Sequence, residues 1–125
     1  MKYAVKYLIL VIVFFVIDII WLAGIAADFY QGLLRPLLEF KPNIIGIALF
    51  YLSYPIGILY FCQVKPVKNA AMFGGFTYAT YELTNYATVA NWPVSLVVVD
   101  IIWGTCLTVF SVVLTNVLYR LVVKQ

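Results

Sequence analysis

Three of the chain's five acidic residues, Asp18, Glu82 and Asp100, fall inside long apolar runs. Burying a carboxylate at membrane depth costs roughly 2.5–3.5 kcal/mol on insertion scales, so each is a candidate for function. Two of them open the same short pattern: Asp18-Ile19-Ile20-Trp21 and Asp100-Ile101-Ile102-Trp103. A spacing of three places acid and indole on one helix face. Acids in such a setting can hold protons, bind a cation, perform acid–base catalysis, or tie helices together by hydrogen bonds.

The residues around the acids are aromatic and hydroxylic. Tyr78, Tyr81, Glu82, Asn85 and Val89 follow helical spacing, with Tyr86 flanking them. A neighbouring run contributes Tyr51, Ser53 and Tyr54, and Pro55 deprives the Tyr51 carbonyl of its usual helical partner. Carboxylates walled by aromatic faces suit organic cations, each good cation–π contact contributing roughly 0.5–2 kcal/mol. The candidate ligand- or proton-binding set is therefore Asp18, Glu82, Asp100, Trp21, Trp103, Tyr54, Tyr78, Tyr81 and Asn85. Two alternatives stay open. The same hydroxyl and indole groups can satisfy protonated acids between helices, at ~0.6 kcal/mol each. Paired carboxylates can also act on a lipid as acid and base, although no cofactor loop, metal site or activated nucleophile accompanies them.

Composition narrows the classes. Of 125 residues 66% are hydrophobic and 10% charged, against about a quarter charged in a soluble domain. The chain is expected to lie in lipid, without a separate soluble domain. Its eight Lys/Arg are dispersed, which excludes a nucleic-acid-binding face. The absence of histidine removes the commonest general base and metal ligand, and no cofactor is expected. Cys62 and Cys106 lie within apolar runs and read as small buried hydrophobes.

Four runs of spanning length must position the acids: 3–27, 44–63, 67–90 and 94–122. Each reaches the ~20 residues that a ~30 Å hydrocarbon core requires. The first run follows Lys2 and Lys6 as in a signal peptide, but it is too long and Asp18 interrupts it, so it is expected to be retained. Asn43 offers a helix cap, Pro66 sits in a tight turn, and Asn91-Trp92-Pro93 makes another. Short turns predict an all-α membrane protein, a single domain folded as an antiparallel four-helix bundle. The 28–43 loop alternates apolar and polar residues, which predicts a short amphipathic interfacial segment, a tether or a lid.

Lys2, Lys6, Lys65, Lys68, Arg120 and Lys124 would share one side, with Arg35 and Lys41 on the other, so both termini are expected in the cytoplasm. Counting ~1.5 Å per residue from the outer ends puts Asp18 about 15 Å, Glu82 about 13 Å and Asp100 about 10 Å down. All three then occupy one layer in the outer half of the bilayer. No Lys or Arg lies in mid-span, so either protons occupy the acids or a cation binds. Gly104, Thr108, Ser111 and Thr115, with Gly74-Gly75, read as close helix packing. Tyr3, Tyr7, Trp92 and Tyr119 read as interfacial belts. The repeated Asp-x-x-Trp fits either an internal repeat or two carboxylates each bonded to the other helix's indole.

The chain resembles the DUF2177 family of small bacterial membrane proteins of uncharacterised function. The resemblance rests on Asp18-x-x-Trp21, Phe29-Tyr30, Pro36-Leu37-Leu38 and Phe50-Tyr51-x-x-Tyr54. It continues in Tyr81-Glu82-Leu83-Thr84-Asn85-x-Ala87-Thr88, Trp92-Pro93 and Asp100-x-x-Trp103-Gly104-Thr105, with Glu82 standing where the family is expected to carry an aspartate. It implies a multi-pass protein of the bacterial inner membrane and supplies no activity. Binding or proton-linked transport of a small, cationic ligand is the preferred expectation. With so few residues for a pathway, a homo-oligomer is expected in the lipid bilayer.

Overall fold

The computed structural model describes residues 2–34 and 43–123, and among them every regular element is helical. Helix α1 (Lys2–Ile19) runs into a π-helical stretch, Ile20–Ile25, and then a short helix α2 (Ala27–Leu34). Three long helices follow: α3 (Ile44–Phe61), α4 (Pro66–Thr88) and α5 (Val94–Val123). Their ends obey local chemistry. The Asn43 side chain accepts from the Ile45 and Gly46 amides at 3.0 and 3.2 Å and so caps α3. Pro66 starts α4 where its missing N–H costs nothing, behind Lys65 in the left-handed region (φ 45°). Asn91, also at positive φ (62°), turns the chain toward α5. The interfacial segment expected over 28–43 is helical through Leu34; the rest of it, with Arg35 and Lys41, lies outside the described residues, as does Lys124.

Three helical stretches are long and apolar enough to cross a membrane: Lys2–Ile25, Ile44–Phe61 and Val94–Val123. The fourth run expected to span, α4, is not among them. That helix has the length, 23 residues, but Thr77, Thr80, Thr84, Asn85, Glu82 and its tyrosines lower its apolar character. It compensates by packing most extensively against α5, while α5 also packs on α1, α1 on α3, and α3 on α4. The α4–α5 seam is close because glycines line it. A Cβ on Gly74 would stand 2.5 Å from both the Gly104 carbonyl oxygen and Thr108 Oγ1, and one on Gly104 would overlap the Tyr78 ring. Small residues thus bring two backbones together where lipid offers no hydrophobic drive between helices.

The apolar core lies below the acids, around Leu10, Phe14, Ile58, Ala70, Leu107 and Val112, with Cys62 among them as a free thiol. A second cluster, Trp92, Leu96 and Val97, gathers Tyr30, Leu33 and Leu34 from α2. It anchors α2 over the end of the helices.

Candidate functional site

Between these two clusters lies a cavity of about 630 Å³. Every long helix contributes to its wall: Asp18 from α1, Tyr51 and Tyr54 from α3, Tyr78, Tyr81 and Glu82 from α4, and Asp100 and Trp103 from α5. Tyr30 and Leu34 of α2 and Trp92 of the last turn complete its upper end. Three carboxyl groups from three helices face one space, and among the described residues no Lys or Arg lines it. Asp18 and Glu82 are nearly sealed, at 4% and 1% exposure.

A hydrogen-bond network holds the acids in place. Asp18 accepts from the Trp103 indole N–H at 3.0 Å through Oδ1 and from the Tyr51 hydroxyl at 2.5 Å through Oδ2. The Tyr30 hydroxyl donates to Asp100 Oδ1 at 2.6 Å while accepting from the Trp21 indole at 3.1 Å. Trp92 donates its indole N–H to Glu82 Oε1 at 2.8 Å. The Glu82 and Asp100 carboxyls face the same cavity. The chain has three tryptophans, and each is joined to this network.

The two Asp-x-x-Trp segments are joined almost reciprocally. Asp18 of the first takes the indole of the second, and Trp21 of the first reaches Asp100 of the second through the Tyr30 hydroxyl. The two indoles stack at 4.4 Å with planes 12° apart. Cross-helix bonding of carboxylate to indole accounts for the echo without an internal repeat. The π-helical stretch begins immediately before Trp21, and the Trp21 carbonyl accepts from Ala26 N–H at 2.8 Å, five residues on.

Of the nine residues singled out from sequence, Asp18, Glu82, Asp100, Trp103, Tyr54, Tyr78 and Tyr81 line the cavity. Trp21 stands behind Trp103 rather than in the wall. Asn85 is also outside the wall. Ser53 is exposed and takes no part in the wall. One belt residue is corrected: Trp92 is 6% exposed and bonded to Glu82. Tyr7 donates to the Leu52 carbonyl at 2.6 Å, beside the gap that Pro55 leaves in α3. Tyr30 and Tyr51 were missing from the sequence-derived set. Both are hydroxyl donors in the motifs that carry the family resemblance, Phe29-Tyr30 and Phe50-Tyr51, which was the signal available.

A helical chain with three candidate spans and acids buried among them is an integral membrane protein. It belongs to the DUF2177 family, described as a predicted membrane protein, whose model matches residues 3–117. No curated protein and no solved structure matches the chain.

Proposed function

We propose that the chain binds a small organic cation in the acid–aromatic cavity and exchanges it for protons, as a carrier does. In this reading all four long helices cross the bacterial inner membrane as an antiparallel bundle. Helix α4 crosses with its polar side turned to α5, both termini are cytoplasmic, and the cavity lies in the outer half. The observation that carries the reading is the meeting of Asp18, Glu82 and Asp100 at one cavity that no Lys or Arg lines among the described residues. About 630 Å³ falls within the roughly 300–1,000 Å³ usual for small-molecule pockets. Tyr54, Tyr78, Tyr81 and Trp103 supply the aromatic faces.

Tetraphenylphosphonium is a suitable probe. Protons and cation compete for the same carboxylates, so affinity rises with pH, by about tenfold per unit where one proton is displaced. Equilibrium binding to the purified protein between pH 5 and 9 tests this. Binding that is absent, or indifferent to pH, refutes it.

A second reading is favoured by the completeness of the bonding at Asp18, whose two oxygens both have protein donors. The acids then serve as ties between helices. Neutralising all three together separates the two readings, since ties predict loss of folding stability and a cation site predicts loss of binding with the fold retained.

A further inference from the structure

The cavity has two kinds of wall. Asp18 and Glu82 line it from buried positions, bonded to Tyr51, Trp103 and Trp92. Leu22, Gly46, Ile47 and Phe50 also line it, and their side chains offer no polar group. These four, with Tyr81, are exposed as well as cavity-lining; Tyr81 is 56% and Ile47 43% exposed, against 1% for Glu82. Residues that border a cavity and also stand at the surface mark its mouth. Here the mouth is framed by the outer end of α3.

The packing of α3 explains why the mouth lies there. Toward α1 the helix is held by Phe50 and Tyr51 on Phe14, by Tyr51 on Asp18, and by the Leu52 carbonyl under Tyr7. Toward α4 it is held by Tyr54 on Thr77, Phe73 and Tyr78, and by Phe61 on Phe73. Among the described residues, every hydrogen bond and ring contact joining α3 to α1 or α4 thus falls at Phe50 or beyond. Ile44–Leu49 make none, and all six are exposed. They are apolar apart from Gly46 and begin a candidate membrane span, so their exposed faces suit acyl chains. Phe50 stands seven residues past the Asn43 cap, about 10 Å along the helix. The mouth therefore faces lipid as well as the end of the bundle.

We propose that the ligand of this cavity is an amphiphilic cation, with an alkyl-substituted ammonium head among Asp18, Glu82 and Asp100 and an apolar chain that leaves along Ile47 and Phe50 into the surrounding lipid. The proposal rests on the cation reading above and names its substrate class. The two parts of such a ligand match the two kinds of wall. Its head meets carboxyls and the aromatic faces of Tyr54, Tyr78 and Trp103, which replace part of the water it loses. Its chain covers a mouth that has only apolar side chains and the Tyr81 ring to offer, and it gains by leaving water. A small hydrophilic cation uses the first wall and leaves the second unfilled. Two sources share this chemistry: a free long-chain ammonium amphiphile, and the amine-bearing head of a membrane lipid.

The n-alkyltrimethylammonium ions from butyl to hexadecyl are the probes, displacing tetraphenylphosphonium from the purified protein in uncharged maltoside micelles. Referred to free aqueous concentration, affinity rises about fourfold per added methylene and keeps rising through hexadecyl, because the far end of the chain lies in the micelle. A closed space of about 630 Å³ imposes a limit instead, and affinity that falls once the chain outgrows it overturns the proposal. Ile47→Trp narrows the mouth and lowers hexadecyl affinity about tenfold relative to tetraphenylphosphonium. Gly46→Leu obstructs it independently, at a position where a Cβ meets nothing nearer than the Asn43 side chain at 3.9 Å. An unchanged unfolding midpoint confirms the fold of each, and an unaltered affinity ratio in a folded variant overturns the proposal. Phosphatidylethanolamine added to the micelles displaces the probes if the source is a lipid head; no displacement assigns the site to a free amphiphile. Equal displacement by diacylglycerol, which has no head, overturns the proposal. A tetraphenylphosphonium site that depends on pH but limits chain length sinks this inference and leaves the cation site standing. If neither tetraphenylphosphonium nor any alkyltrimethylammonium binds, the cation site falls with it.

Discussion

The bond between Tyr51 and Asp18 is the sharpest place to test whether the buried acids are held by protein or by water. Tyr51→Phe removes one hydroxyl and leaves the ring, which packs edge-on against Phe14 and Phe15. Asp18 then keeps only the Trp103 indole on Oδ1, and Oδ2 faces the cavity without its donor. A hydrogen bond to an ionised group contributes about 1.5–3 kcal/mol in soluble proteins. Interhelical bonds in lipid average nearer ~0.6, with a maximum of ~1.7 kcal/mol. A length of 2.5 Å and an acid only 4% exposed favour the upper part of that range, while the adjoining cavity lowers the cost by admitting solvent. We expect a coupling energy of about 1–1.5 kcal/mol between Tyr51→Phe and Asp18→Asn in a double-mutant cycle. Reversible unfolding in mixed micelles, followed by far-ultraviolet circular dichroism, measures it. Additive losses, with coupling within about 0.3 kcal/mol of zero, would refute the reasoning and assign the stabilisation of Asp18 to water.

Three other outcomes follow from the same geometry. Gly74→Ala costs about 1–3 kcal/mol by forcing α4 from the Gly104 carbonyl and Thr108, whereas Gly24→Ala, with nothing within 4 Å, leaves the unfolding midpoint unchanged or higher. Glu82→Gln removes one of the three carboxyls at the cavity; tetraphenylphosphonium binding weakens, and its dependence on pH between 5 and 9 flattens. Trp92→Phe deletes the donor to Glu82 Oε1 and lowers stability by about 0.6–1.7 kcal/mol, with a loss of anchoring at α2 visible as faster proteolysis near Leu34.

Much of this arrangement was legible in the chain because it follows from length and punctuation. Asn43, Pro66 and the Asn91–Pro93 turn set the helix ends, and counting residues from those ends placed Asp18, Glu82 and Asp100 near one depth, where they now share a cavity. The partners of the acids were harder to read, since side-chain reach across helices leaves no periodic trace. Tyr30 meets Asp100 from 70 positions away, and Trp103 meets Asp18 from 85. Trp92 looked like an interfacial residue because a tryptophan in a terminal turn usually is one, but its indole points back to an acid ten residues earlier. Helix α4 has the length of a span, and residues 67–90 read as one of four apolar runs. Its hydroxyls and Glu82 lower that character, and their pairing inside the protein is what sequence could not display.

The π-helical stretch before α2 leaves slack in the chain. Its hydrogen bonds close over one residue more than an α-helix uses, as the Ala26 to Trp21 bond does. A one-residue deletion within Ile20–Ile25 is thus absorbed by tightening to ordinary helix, with Asp18 before it and Tyr30 after it still facing their partners. The same deletion earlier in α1 turns one end against the other by about 100° and takes Asp18 away from either Tyr51 or the membrane-facing register of its neighbours. Length change in this molecule is therefore tolerated beside the acid site and punished at a distance from it.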